Sequence, residues 1–92
     1  MKYLIKFSTQ FKKDIKKAKK QSKNIDLLFE VIEKLANGGK LDRRFNVHKL
    51  SGKLEGIYEC HIEPDLLFEY QLYEMELILL CIRLGSHSEI FR

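Results

Sequence analysis

Ninety-two residues leave room for one domain, and 1–92 reads as a single unit. With 45% apolar and 11% aromatic residues, the chain is excluded from the class of disordered tails. The formal charge of +4 hides a split: residues 1–23 hold nine Lys and one Asp, a balance of +8, and residues 24–92 sum to −4.

Residues 2–7 alternate weakly and predict a short strand. Ser8 and Thr9 are good N-caps for a helix that runs to about Gln21. Phe11, Ile15 and Ala18 form its apolar stripe, and Lys12, Lys13, Lys16, Lys17, Lys19 and Lys20 cover most of the rest. Phe7 is placed to staple onto the first turn. Asn24 or Asp26 caps a second helix, whose apolar face is Leu28, Val31, Ile32 and Leu35. Asn37-Gly38-Gly39 ends it, since Asn and Gly accept the left-handed conformation at a helix terminus.

Residues 40–53 read as loop and carry Arg43, Arg44 and His48. Ile57–Ile62 alternates, with Ile57, Glu59 and His61 on one face and Tyr58, Cys60 and Ile62 on the other. Glu63-Pro64-Asp65 is a turn. Leu66–Leu72 is the next strand, with Leu66, Phe68, Tyr70 and Leu72 on one face. After Tyr73-Glu74-Met75, Glu76–Leu84 is the most apolar strand and is expected at the centre. Gly85 ends it, and Ser86–Arg92 is a short tail. The order β-α-α-β-β-β predicts an α+β domain, with a helical hairpin on one face of a mostly antiparallel sheet.

The longest apolar run, Leu77–Ile82, is far shorter than the roughly 18 residues of a membrane span. The start of the chain shows no signal-peptide core, so a cytoplasmic location is expected. Cys60 and Cys81 lie in apolar strand-like runs and are expected as buried thiols; two cysteines make no zinc pattern. The charge split fits a polyanion docked through the N-terminal third, and it equally fits a helix that is merely solvated.

The chemistry-bearing residues lie late in the chain. His48, His61 and His87 sit in loops or near strand ends. Asp65 follows Pro64 at a hairpin tip. Arg83 interrupts an apolar strand, where a charge must be paired; Glu59 and Glu69 are the candidates across the sheet. Histidine moves protons near neutral pH, and arginine clamps phosphate through paired hydrogen bonds. Converging on a basic protein, these groups would suit phosphodiester cleavage by side chains alone. Each also has an ordinary reading as a surface, capping or turn residue. The histidines lack the HxH or HxxxH spacing of a metal site, so no metal is expected.

The segments Glu59-Cys60-His61-Ile62-Glu63-Pro64-Asp65-Leu66-Leu67 and Arg83-Leu84-Gly85-Ser86-His87-Ser88-Glu89-Ile90-Phe91 resemble the YafQ-type toxins of the RelE/ParE superfamily. His48-Lys49-Leu50-Ser51-Gly52 matches the H-x-L-x-G motif of that family. The element order, the basic first helix and the length agree as well.

This resemblance implies a toxin of a type II toxin–antitoxin system. Its activity would be ribosome-dependent cleavage of mRNA in the A site by 2′-OH attack, with no cofactor. Its partners would be a cognate antitoxin, the ribosome and mRNA. His48, His61, Asp65 and His87 would form the acid–base set, with His87 leading. Arg83 would stabilise charge on the phosphate, and Phe91 would stack on a base. The six lysines of the first helix, with Arg43 and Arg44, would bind RNA. Three positions stand out against the family pattern: Leu66, which keeps only the apolar character of the Trp or Leu often found there, Tyr58 in place of Arg, and Glu69 in place of Ile or Val. Two alternatives remain open: a ParE-like gyrase inhibitor, and an inactive module that only binds antitoxin.

Overall fold

The structure, a computed structural model, describes residues 1–51 and 56–91. Gly52, the last residue of the H-x-L-x-G motif, and Arg92 lie outside the described residues. In chain order the elements are β1 (Leu4–Phe7), α1 (Thr9–Lys20), α2 (Ile25–Ala36), a 3-10 turn (Arg43–Phe45), β2 (His48–Lys49), β3 (Tyr58–Glu63), β4 (Leu66–Tyr73), β5 (Ile78–Gly85) and α3 (His87–Ile90).

The Ser8 hydroxyl caps α1 by accepting from the Phe11 N–H at 2.9 Å. The expected Phe7 staple forms, with the Phe7 and Phe11 rings 5.0 Å apart. Lys17, Lys19 and Lys20 lie in the last turn, where the helix dipole favours cations. Asn24, rather than Asp26, caps α2. The apolar stripes of α1 and α2 meet Cys60, Ile62, Leu66, Phe68, Tyr70, Leu79, Cys81 and Leu84 in one core. Cys60 and Cys81 are free, and burial pushes both thiols up to about 12, so neither is a nucleophile at neutral pH.

The sheet runs β1-β5-β4-β3-β2, antiparallel except where β1 pairs parallel with β5. This is the predicted α+β architecture, with three refinements. β4, not β5, takes the middle of the sheet; β5 lies between β4 and β1. Residues expected as loop contain a 3-10 turn that buries Phe45, then the two-residue edge strand β2. β5 begins at Ile78 because Leu77 takes a left-handed conformation, φ +56°.

The tail also differs from expectation. Ser86 and Glu89 form a capping box that starts α3. The Ser86 N–H donates to Glu89 Oε1 at 2.8 Å, and the Glu89 N–H donates to the Ser86 hydroxyl at 3.2 Å. Lys17 on α1 forms an ion pair with the same Glu89. The Lys17 contact first, and the Ser86 N–H next, hold the Glu89 carboxyl down to about 2.

The expected pairing of Arg83 with Glu59 or Glu69 does not form. Arg83 bonds instead to Asp14 on α1, with Nε to Oδ2 at 2.9 Å. The same Oδ2 accepts from the Leu84 N–H at 2.9 Å, and Asp14 is buried. Arg83 still stands opposite Glu69 in the strand register. β5 carries one extra residue, Ile82, where the register shifts between Glu69 and Tyr70.

Asp14→Ala leaves a buried N–H and an arginine without their acceptor. Urea unfolding should show a loss of about 2–3 kcal/mol. A second test concerns α3. A depressed carboxyl contributes stability above its ordinary value of 4.5 and loses it as pH falls through about 2. The Ser86 amide signal should therefore hold through pH 4.5 and shift only near 2, and Glu89→Gln should abolish that transition. A midpoint at the ordinary value would show that Lys17 does not hold the cap.

Candidate functional site

The β3–β4 hairpin tip, the start of α3, strand β3 and the edge strand β2 supply the site. Asp65 stands at the β3–β4 turn, where Glu63 pairs with Leu66. His87 is the first residue of α3, directly after the Ser86 cap. Asp65 Oδ1 accepts from both the His87 N–H at 3.0 Å and His87 Nδ1 at 2.9 Å. These two contacts, the backbone one first, hold the Asp65 carboxyl below its ordinary range. With Nδ1 donating to a carboxylate, His87 Nε2 is left for proton transfer. Both side chains are more than half exposed, which leaves the pair open to a ligand.

His61 extends this pair into a line of rings. Its centroid lies 6.0 Å from His87 and 6.4 Å from His48. Phe91, exposed, is 6.4 Å from His87 at the other end. His48 sits on β2 opposite Glu59 of β3. Its Nε2 is 3.2 Å from Glu59 Oε1, and its Nδ1 is 3.0 Å from the Asn46 carbonyl oxygen. The structure therefore brings together His48, His61, Asp65, His87 and Phe91.

Arg83 lies in an adjoining row. Register pairs His48 with Glu59, Glu59 with Glu69, and Glu69 with Arg83, across four strands. Asp14, first of all, raises the Arg83 guanidinium further above its ordinary value. Its Nη2 makes only a long 3.5 Å contact with Asp14 Oδ1, so that edge of the fork keeps donors to spare among the described residues. Glu69 is buried, and desolvation, then Glu59, raise its carboxyl. Both Glu59 and Glu69 keep one buried oxygen without a partner among the described residues.

The six lysines of α1 are all exposed, as are Arg43 and Arg44. The lysines lie on α1, and Arg43 and Arg44 lie on the 3-10 turn, where Arg44 lines one cavity with His61. Lys17 differs from the other five through its ion pair with Glu89. Tyr58 stacks on Tyr70 with ring centroids 5.5 Å apart, and Leu66 is buried in the core.

Sequence reasoning passed over Asp14 and Glu89, and offered Glu59 only as a partner for Arg83. Asp14 carried a readable signal, as the one acid beside the nine lysines of residues 1–23 and on the apolar side of α1. Glu89 did too, through the Ser-x-x-Glu spacing from Ser86. Glu59 had only its alternation beside His61, and its neighbour His48 comes from another strand.

Among the described residues, no helix is long and apolar enough to cross a membrane. The family described as the bacterial toxin of type II toxin–antitoxin system, YafQ, matches residues 3–92. The mRNA interferase toxin YafQ of Escherichia coli strain K12 is 32% identical over 88 residues, covering 95% of this chain and 94% of that protein. The metal-bound toxin from Helicobacter pylori superposes with a TM-score of 0.91 at 40% identity, covering 97% of this chain and 99% of the other. YafQ in the E. coli DinJ–YafQ toxin–antitoxin complex superposes at 0.88 with 30% identity, over 100% of both chains. Sequence match, fold and the histidine line agree, and the chain belongs to the YafQ family of bacterial toxins of type II toxin–antitoxin systems.

Proposed function

We propose that this chain is an endoribonuclease of the mRNA-interferase type that cuts mRNA in the ribosomal A site. The observation that carries the reading is the line from His48 through His61 to His87, with Asp65 bonded to His87 and Phe91 beside it. The name of the E. coli relative, mRNA interferase toxin, supports it.

In the proposed reaction, the 2′-hydroxyl of one nucleotide attacks its own 3′-phosphate. The products are a 2′,3′-cyclic phosphate and a 5′-hydroxyl end. His87, aimed by Asp65, leads proton transfer through its free Nε2. His61, between the other two rings, acts on the attacking hydroxyl, and His48 completes the set. Protons in such a cluster belong to the group as a whole. Arg83 meets charge building on the phosphate, with its fork held in place by Asp14. Phe91 offers a face on which a base stacks.

Docking falls to the basic helix. Lys12, Lys13, Lys16, Lys19 and Lys20 are exposed and meet ribosomal RNA phosphates without reading sequence, as do Arg43 and Arg44. Lys17 serves less, being paired with Glu89. The second partner is a cognate antitoxin, supported by the solved DinJ–YafQ complex of the E. coli relative. The proposed setting is the cytoplasm, where translating ribosomes are found.

Primer extension on translated mRNA tests the chemistry. His87→Ala should reduce ribosome-dependent cuts by about a hundredfold or more. Growth arrest that persists unchanged in His87→Ala would falsify the catalytic assignment and favour gyrase inhibition. Equal cutting of naked RNA would remove the ribosome requirement. For docking, Lys16→Glu with Lys20→Glu should weaken ribosome binding and flatten its salt dependence by roughly 0.7–0.9 per lost phosphate contact. The melting temperature should hold, because exposed charges contribute little to stability. A lower melting temperature with unchanged binding would reverse that reading.

A further inference from the structure

Beside the histidine line lies a cavity that the reaction above leaves unused. It is lined by Arg44, Asn46, His61, Ile62, Glu63 and Pro64. Its volume is about 210 Å³, where a single water needs only about 10–15 Å³. Two irregular stretches of backbone shape it. The 3-10 turn ends at Asn46, which takes a left-handed conformation, φ +47°. In β3 one extra residue, Ile62, shifts the register with β4 between His61 and Glu63.

The polar groups around this cavity are placed but not spent. Arg44 sits over the Phe45 ring, 4.7 Å from its centroid, and Phe45 is buried in the core. The guanidinium is thereby held at the turn, and it has no acidic partner among the described residues. Asn46 serves the turn through its backbone alone. Its N–H donates to the Arg43 carbonyl, and its own carbonyl oxygen lies 3.0 Å from His48 Nδ1. Its side-chain amide, with two donors and one acceptor oxygen, makes no hydrogen bond among the described residues. The His61 ring makes none either. Glu63 adds an acid, whose Oε2 accepts from the Asn24 N–H at 3.0 Å. A bare phosphate would meet Glu63 as well as Arg44. A nucleotide satisfies both, with its phosphate on the guanidinium and the N–H and carbonyl groups of its base on the amide and the carboxylate.

We propose that this cavity is the subsite for the nucleotide that carries the attacking 2′-hydroxyl, with Arg44 on its 5′-phosphate and Asn46 reading its base. The proposal rests on the RNA cleavage proposed above and deepens it. There His61 acts on the attacking hydroxyl, so the nucleotide bearing that hydroxyl lies on the His61 side of the cut. Phe91, beyond His87 at the other end of the line, is left for the nucleotide after the cut. Arg44 thereby parts from Arg43: it holds mRNA rather than ribosomal RNA. An amide that both donates and accepts discriminates between bases, because a wrong base leaves one of these groups unpaired.

Sequencing the cut ends of translated mRNA reads the base on each side of every cut. Asn46→Gly keeps the left-handed turn and removes the amide. It should leave the melting temperature unchanged and flatten the base preference immediately 5′ of the cut, with the base 3′ of it chosen as before. Asn46→Asp should shift that 5′ preference to other bases, because two donors are lost and an acceptor is gained. An unchanged preference in both variants, or a change confined to the 3′ base, would overturn the assignment.

Single-turnover cleavage on programmed ribosomes distinguishes mRNA from ribosomal RNA as the partner of Arg44. Arg44→Ala should lower the rate at saturating toxin by about tenfold or more, with ribosome affinity unchanged. Weaker affinity with an intact saturated rate would return Arg44 to the docking set and overturn its place here. Titration with a trinucleotide carrying 2′-deoxyribose at the cut position reads binding without reaction. The Arg44 Nε–H and His61 ring signals should shift in the parent chain and shift less in Asn46→Gly. Such shifts in a chain that cuts no RNA would keep the subsite and remove the proposed function. Their absence in the parent chain would remove the subsite.

Discussion

A single carboxylate on α1 ties the helical layer to the working end of the sheet. Asp14 Oδ2 accepts from the Leu84 N–H and from Arg83 Nε, both at 2.9 Å. Contacts before and after it in sequence extend the attachment. The Ser8 hydroxyl donates to the Ile82 carbonyl at 2.8 Å, and Lys17 pairs with Glu89 of α3. Successive turns of α1 thus hold successive parts of the segment that ends β5 and begins α3. The extra residue at Ile82 shifts the pairing with β4 at the point where Asp14 approaches.

From that attachment follows the position of the chemistry. His87 stands just beyond Gly85, on a helix whose cap depends on Ser86 and Glu89. Asp65, from a different hairpin, reaches the same residue through both its backbone and its ring. A short helix could not place the His87 ring by its own stability. Its two anchors, Lys17 at Glu89 and Asp65 at His87, lie on elements that the core already holds. This is how a domain with a modest core obtains a rigid site from a chain terminus.

Charge is organised by layer. The lysines face outward on α1, where exposure keeps them solvated. The acids that matter most are buried: Asp14 under Arg83, and Glu59 beside Glu69. Glu69 occupies a position where an apolar residue is usual in YafQ-type chains. It faces Arg83 in the strand register without bonding to it, and desolvation with the adjacent Glu59 raises its carboxyl. Tyr58, also a departure, stacks on Tyr70 and so packs where a basic side chain would reach for solvent.

The helices, the alternating strands and most of the core were legible in the residues alone. Periodicity is a local property, and Phe11, Leu28, Phe68 and Leu79 each announce a buried face within a few residues of chain. The candidate histidines, Asp65, Arg83 and Phe91 were legible as types in characteristic spacing. Their partners were not. Asp14 meets Arg83 across 69 positions of sequence, and Glu59 meets His48 through an edge strand too short to alternate. The parallel placement of β1 beside β5 and the central place of β4 were likewise settled by packing. Local sequence determined which segments were helix or strand and which side chains could do chemistry. Only the tertiary structure decided which acid faces which base, because hydrogen-bond partners are chosen by distance in space and the chain's pattern carries no record of it.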